Sequence, residues 1–219
     1  IPEGNEESYK AGRNAFLGGI DFLNQDPDRL LEMRLNFYLR GLNKTEDPKA
    51  ENELVGPNGE IVGRVKNGRP KFFPDYYVIP MSLDKDNDAQ EAFNMIDYFK
   101  RNGVLVKELK EDIGNYKKGD LVIDMAQAKR GYANHILYKG SNESAWAAMY
   151  AELLVNFPDM RGFKSEPVFA DGLFNGKLGE VTTTRATRTS EIDPKAPYYV
   201  IANTSASAVK AVNQAIAQG

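Results

Sequence analysis

Cysteine is absent from this 219-residue chain, which excludes disulfides, thiolate metal sites and any cysteine nucleophile. Its absence fits an exported Gram-positive protein as well as a cytoplasmic one. Histidine is nearly absent: His135 is the single one. A catalytic zinc usually takes at least two histidines, or cysteine with histidine, beside an open position. The chain does not supply that set by itself, and a serine hydrolase would have to run through His135. No stretch approaches about 18 consecutive apolar residues, so no membrane span is expected. Ile1-Pro2-Glu3-Gly4-Asn5 is not the charged-then-apolar opening of a signal peptide. Charge of one sign is also lacking. The formal net charge is −3, with lysine and arginine scattered, so there is no basic footprint for nucleic acid.

What is present is an ordinary globular composition, 42% apolar and 27% charged, long enough for one large or two small cores. A strand-plus-helix pattern occurs twice. The first copy runs Tyr76-Tyr77-Val78-Ile79, a polar loop, an amphipathic stretch ending at Gly103, and the apolar run Val104-Leu105-Val106. The second runs Tyr198-Tyr199-Val200-Ile201, a polar loop and a helical stretch from Ala208 to Ile216, and stops at Gly219. Parallel strands need a crossover and a partner, so the second copy without its next strand suggests a piece of a longer protein.

Before these repeats, Tyr9, Phe16, Ile20 and Leu23 fall at helical spacing, with Ser8 as a candidate N-cap. Pro27 opens a second helix on Leu31, Leu35, Tyr38 and Leu42, with Gly41 and Asn43 near its end. A connector from Lys44 follows. Short β segments with turns at Pro57-Asn58-Gly59 and Asn67-Gly68 predict a hairpin or meander.

In the first repeat, Asp88 and Glu91 suit a capping box. Ala92, Phe93, Ile96 and Phe99 form the buried face of its helix, and Gly103 the C-terminal cap. Leu121-Val122-Ile123-Asp124-Met125 is a third apolar run, introduced by the turn-like Lys117-Lys118-Gly119-Asp120. Tyr132 and Ile136 share a helical face, and a firmer helix is expected from Ser144 to Asn156. Alternating strands and helices predict an α/β fold with a doubly wound, mainly parallel sheet, preceded by a helix pair and a small β meander. The expected divisions are 1–43, 44–73 and 74–219.

Asp84, Asp86 and Asp88 alternate like a calcium loop, but Ala89 and Met95 stand where its glycine and acidic residue belong. Gln127, Lys129, Arg130 and His135 follow the third apolar run, and open α/β sheets bind ligands beyond the carboxyl ends of their strands. These four are the candidate site, suited to a small anion; a basic surface turn with a core or flanking histidine is the competing explanation. Asn203, Thr204, Ser205 and Ser207 either hold an anion or simply cap a helix. Thr182 to Thr189, with Arg185 and Arg188, fits an edge strand.

Three blocks carry a resemblance: Gly119 to Asn134, containing Met125-Ala126-Gln127-Ala128-Lys129-Arg130-Gly131; Trp146 with Met149-Tyr150-Ala151-Glu152; and Asn156 to Phe163, containing Pro158-Asp159-Met160-Arg161-Gly162-Phe163. Together they resemble the C-terminal part of large secreted zinc carboxypeptidases of Gram-positive bacteria, in the carboxypeptidase A-like family. The resemblance implies that Ile1 to Glu7 lies just beyond the catalytic domain's last strand, and that Ser8 to Leu23 is its closing helix. The glutamate general base would then precede Ile1, with Glu3 as a minor alternative. The zinc ligands, His-x-x-Glu and a later histidine, have no counterpart, since Tyr138 stands three residues after His135.

No catalytic residue or metal ligand is therefore expected in this chain, and zinc is expected in the parent. The region from Tyr76 would be an accessory domain with an amidotransferase-like or flavodoxin-like sheet. Its partners would be the parent's catalytic domain and, through it, a peptide substrate, outside the cell. Self-association through unpaired edges is also expected. The alternative function is a stand-alone α/β domain binding a small anion or cell-wall fragment.

Overall fold

The computed structural model describes residues 5–46, 54–55, 61–62, 70–81, 89–139, 157–182, 193–201, 203 and 206–218. Helices α1 (Glu6–Asn24) and α2 (Pro27–Leu42) follow one another, joined by a short turn. Asn5, rather than Ser8, caps α1: its side chain accepts from the Ser8 amide at 2.8 Å. Pro27 stands in the first turn of α2, as the sequence predicts, and Asp26, read there only as part of the joining turn, caps the helix. Strands β1 (Leu54–Val55) and β2 (Ile61–Val62) pair antiparallel, which bears out the hairpin.

The main sheet holds β3 (Tyr76–Ile79), β4 (Lys107–Leu109), β5 (Leu121–Asp124), β6 (Glu166–Val168) and β7 (Leu178–Gly179). The strand order is β6-β3-β5-β4-β7, and every pairing is antiparallel. The expected doubly wound parallel sheet is therefore wrong. A parallel sheet needs a crossover before each strand, whereas β4 returns into β5 through a turn. Ile113 and Tyr116 bridge each other around Gly114, and Gly119 at φ 95° reverses the chain. Helix α3 (Ala89–Arg101) does connect two parallel strands, β3 and β4, but β5 inserts between them. Helix α4 (Arg130–Leu137) and the short α5 (Phe157–Arg161) lie between β5 and β6. This is the split β-α-β connectivity of ferredoxin-like folds, extended by β7. Many unrelated functions use that topology, so it does not identify one.

Helices α3 and α4 share one face. Ala92, Met95, Ile96 and Phe99 of α3 and Ala133, Ile136 and Leu137 of α4 pack against Tyr77, Ile79, Leu121 and Ile123. Tyr76, Val78, Val122, Leu109 and Val168 fill the opposite face under Phe174. Partly buried Ile113, Tyr116 and Leu173 close over them. Gly103 at φ 74° ends α3, and the Val104 amide donates back to the Phe99 carbonyl at 2.9 Å. Val104 and Val106 are buried, but the strand begins at Lys107.

The second strand-helix repeat is only half present. Helix α6 (Ala206–Gln218) forms, but Tyr198 to Ile201 has no strand and joins no sheet; Val200 is 89% exposed. An isolated apolar tetrapeptide becomes a strand only where a partner edge is available, and the sheet edges here are β6 and β7. The Asp84–Asp88 loop, the Ser144–Asn156 helix, the Thr183–Thr189 segment, Thr204, Ser205 and Glu3 lie outside the described residues.

Candidate functional site

Charged groups converge where α2 ends against the sheet. Asp75 immediately precedes β3 and Asp124 ends β5; antiparallel pairing of Tyr76 with Asp124 brings the two carboxylates to the same end. Asp171 follows β6. Lys44 reaches them from just beyond α2, its Nζ 2.7 Å from Asp171, 3.7 Å from Asp75 and 3.9 Å from Asp124. The same ammonium stands 4.9 Å from the Tyr76 ring centroid. Lys71 adds a second cation, 2.6 Å from Asp75, whose side chain is only 3% exposed.

Lys44 holds a left-handed backbone, φ 50°, at the position after the helix cap where glycine usually sits. For a lysine that conformation costs roughly 1 kcal/mol. The flanking bonds from the Thr45 amide to the Arg40 carbonyl and from the Lys44 amide to the Gly41 carbonyl fix the bend. What lysine offers there, and glycine does not, is the ammonium among three carboxylates. Burial alone works to lower the Lys44 pKa, but the hydrogen bond to Asp171 and the charges of Asp124, Tyr76 and Asp171 outweigh it, and the net direction is upward. Asp171 is depressed chiefly by its hydrogen bond to Lys44. Burial, then the charge of Asp124, raises Tyr76. A lysine held protonated in this way is a poor nucleophile and a good ionic latch.

Of the sequence-predicted residues, Lys129 and Arg130 belong to the base of the same helix pair. Gln127 is buried and closes an internal network: its Oε1 accepts from the Leu105 amide at 2.9 Å, and its Nε2 donates to the Asp124 carbonyl at 2.6 Å. Arg130 is buried, donates to the Thr45 carbonyl at 2.7 Å and stacks 4.3 Å from the Phe73 centroid. Lys129 faces the Tyr38 ring of α2 at 5.3 Å. His135 is half-buried on α4, further along the helix. Arg130 and Lys129 thus join α2 to the domain, Gln127 supports β5 and its following turn, and His135 is not in these contacts. Asn203 lines a separate cleft with Lys139 and Lys164.

Glycine permits the close approach. A Cβ at Gly41 would fall 2.4 Å from the Gln127 carbonyl oxygen, and one at Gly131 would fall 3.1 Å from Phe37 Cζ. Beyond this base the helix pair is strongly exposed. Helix α1 has no buried residue, and α2 has only Gly41. Phe16 is 70% exposed and Leu31 64%, with Phe22, Met33 and Leu35 similarly open. The pair is an apolar arm latched at one end. Lys44, Lys71, Asp75 and Asp171 escape the sequence reading; the usable signal is that Asp75 and Asp124 flank two apolar runs that an antiparallel register would align.

The donor set does not fit a zinc centre. Among the described residues no group of three histidine, cysteine, aspartate or glutamate side chains is arranged to hold a metal. The three aspartates instead surround the Lys44 ammonium. No described helix is long and apolar enough to cross a membrane.

A prediction follows for the latch. Lys44→Gln is expected to weaken attachment of the arm by about 0.2–1 kcal/mol, the range for an exposed ion pair, because Asp75 keeps Lys71. Its pH window is set by both partners. The Asp171 contribution is present above its unfolded pKa of about 3.9 and is lost as pH falls through the depressed folded value. The Lys44 contribution is present below about 10.4 and is lost as pH rises through its raised folded value. Amide shifts of Gly41 to Thr45 should therefore stay constant between about pH 4.5 and 9.5; a transition inside that window would contradict the latch.

Comparison with known protein families, curated proteins and solved structures finds no match to this chain.

Proposed function

We propose that the chain is an accessory module of a secreted zinc metallocarboxypeptidase, with the α1–α2 arm seated against the catalytic unit and the antiparallel domain holding the arm. The observation that carries this reading is the exposure of large apolar side chains along both helices of the arm. Large apolar side chains exposed in such number along two successive helices suit an interaction site. The arm also contains the segment that resembles the family's closing helix. Peptide-bond hydrolysis is then the parent's activity, and no catalytic step is assigned to residues of this module.

The partner to add is the zinc carboxypeptidase unit encoded in the same reading frame. Titrating it into the isolated chain is expected to slow amide exchange across 6–42 and to leave 76–124 unchanged. Absence of such a unit, or no slowing when it is in excess, would overturn the proposal. The isolated chain is also expected to retain no stoichiometric zinc through dialysis and to release no C-terminal residue from peptides. Chelator-sensitive release by the chain alone would show that it is not merely accessory.

A further inference from the structure

Asparagine is followed by glycine at Asn58, Asn67, Asn102 and Asn175; the first two lie outside the described residues. In such a pair no side chain on the second residue obstructs its nitrogen from reaching the asparagine side-chain carbonyl. The two described pairs have opposite surroundings. At the end of α3 both reacting groups are engaged: the Gly103 amide donates to the Lys100 carbonyl at 3.1 Å, and Asn102 Nδ2 donates to the Tyr98 carbonyl at 2.8 Å. In the loop between β6 and β7, Asn175 is exposed, and the Gly176 amide has no hydrogen-bond partner among the described residues. Asn175 Oδ1 accepts from the Tyr76 hydroxyl at 3.4 Å. We propose that Asn175 is a site of spontaneous deamidation in the folded domain, with the Tyr76 hydroxyl as the donor that polarises its side-chain carbonyl. The proposal does not depend on the accessory-module reading.

The Gly176 nitrogen gives its proton to solvent base and attacks Asn175 Cγ. The Cγ–Nδ2 bond breaks, Nδ2 leaves as ammonia with a proton from water, and a succinimide ring closes between the two residues. Water then opens the ring. Opening at the side-chain carbonyl leaves aspartate at position 175; opening at the main-chain carbonyl leaves an isoaspartyl link, with an added methylene in the backbone. The net reaction consumes water and releases ammonia. During the attack negative charge develops on Asn175 Oδ1, where the phenol donor stabilises it, and a contact that is long at rest tightens as its acceptor gains charge. Burial raises the Tyr76 pKa, so the hydroxyl keeps its proton at the mildly alkaline pH that favours loss of the Gly176 proton. Either product puts a carboxylate beside that hydroxyl, in the loop that also carries Asp171, the partner of Lys44. The isoaspartyl methylene would fall inside the turn closed by the Lys177 amide on the carbonyl of fully buried Phe174 at 3.0 Å.

The test incubates the full chain at mildly alkaline pH, folded in one sample and unfolded in urea in another, and follows Asn102 and Asn175 by peptide mapping with mass spectrometry. An isoaspartyl methyltransferase assay detects the isoaspartyl product. In the folded chain Asn175 should convert at least about tenfold faster than Asn102, the factor for two hydrogen bonds that hold the Asn102 pair back. In urea the two rates should become similar, because the reacting residues are the same. Tyr76→Phe should slow Asn175 at least about threefold, the loss of one hydrogen bond to the reacting oxygen, and leave Asn102 unchanged. If that variant does not fold, the ratio of the two sites in the folded, unaltered chain decides. Equal rates at Asn102 and Asn175 in the folded chain, conversion of Asn175 only after unfolding, or an undiminished Asn175 rate in folded Tyr76→Phe would each overturn the proposal.

Discussion

Phe99→Ala is expected to destabilise the domain by about 3–5 kcal/mol, the cost of truncating a fully buried phenylalanine. Phe99 has no exposed surface and lies in the core that α3 and α4 share with β3 and β5. Its side chain is the largest that α3 places in that core, and the carbonyl of the same residue accepts the closing bond of the helix from Val104. Removing the ring leaves a void between helix and sheet that surrounding strands, fixed by antiparallel ladders on both sides, cannot easily close. Total stabilities are about 5–15 kcal/mol, so this loss is a large fraction of the whole. Urea unfolding followed by circular dichroism checks it. A loss below about 1 kcal/mol would mean that α3 is not packed on the sheet as described.

Gly41→Val acts differently, because it should release the arm without unfolding the domain. The new Cβ would be 2.4 Å from the Gln127 carbonyl oxygen and 3.3 Å from both the Ala128 carbonyl oxygen and Arg130 Cβ. Gln127 cannot step aside without breaking its bonds to Leu105 and Asp124. Helix α2 must lift instead, and the Arg130–Thr45 bond and the Lys44 latch lift with it. Overpacking of this kind costs about 1–3 kcal/mol, here charged to the attachment of the arm. Amide exchange should rise across the end of α2 and through Lys44, while β3 and β5 keep their protection. Uniform loss of protection over the whole chain would show that arm and domain fold as one unit.

Helical periodicity was legible in the sequence: α1, α2 and α3 stand close to where their apolar spacing puts them, and Gly103 ends α3 as its position implies. The sheet was not, for a specific reason. Tyr76-Tyr77-Val78-Ile79 and Leu121-Val122-Ile123 are buried on both faces, because loops carrying Ile113, Tyr116, Leu173 and Phe174 cover the side opposite the helices. Continuous apolar runs of that kind are the signature of a parallel sheet, and here loops produce it in an antiparallel one. The turn at Lys117 to Asp120 was visible as a turn, but its consequence, a strand returning between two others, depends on tertiary pairing. Tyr198 to Ile201 repeats the composition of β3 but joins neither edge strand, β6 or β7.

The candidate site was legible in part. Gln127, Lys129 and Arg130 were found as polar residues after an apolar run, yet their contacts are with Leu105, Tyr38, Thr45 and Phe73, three of which come from segments far away in sequence. Neither Lys44 nor Asp171 carries a local signal. Their 2.7 Å pairing joins residues 127 positions apart, and only the docking of α2 brings them together.

Residue-resolved hydrogen exchange on the isolated, monomeric chain tests most directly whether an exposed apolar arm is latched to an independent antiparallel domain. Protection is expected to be highest in β3, β5 and α3, intermediate at the latched end of α2, and lowest in α1, where only local helix opening limits exchange. Protection of α1 equal to that of β3 and β5, in a monomer, would contradict the account and make the arm part of the domain's own core.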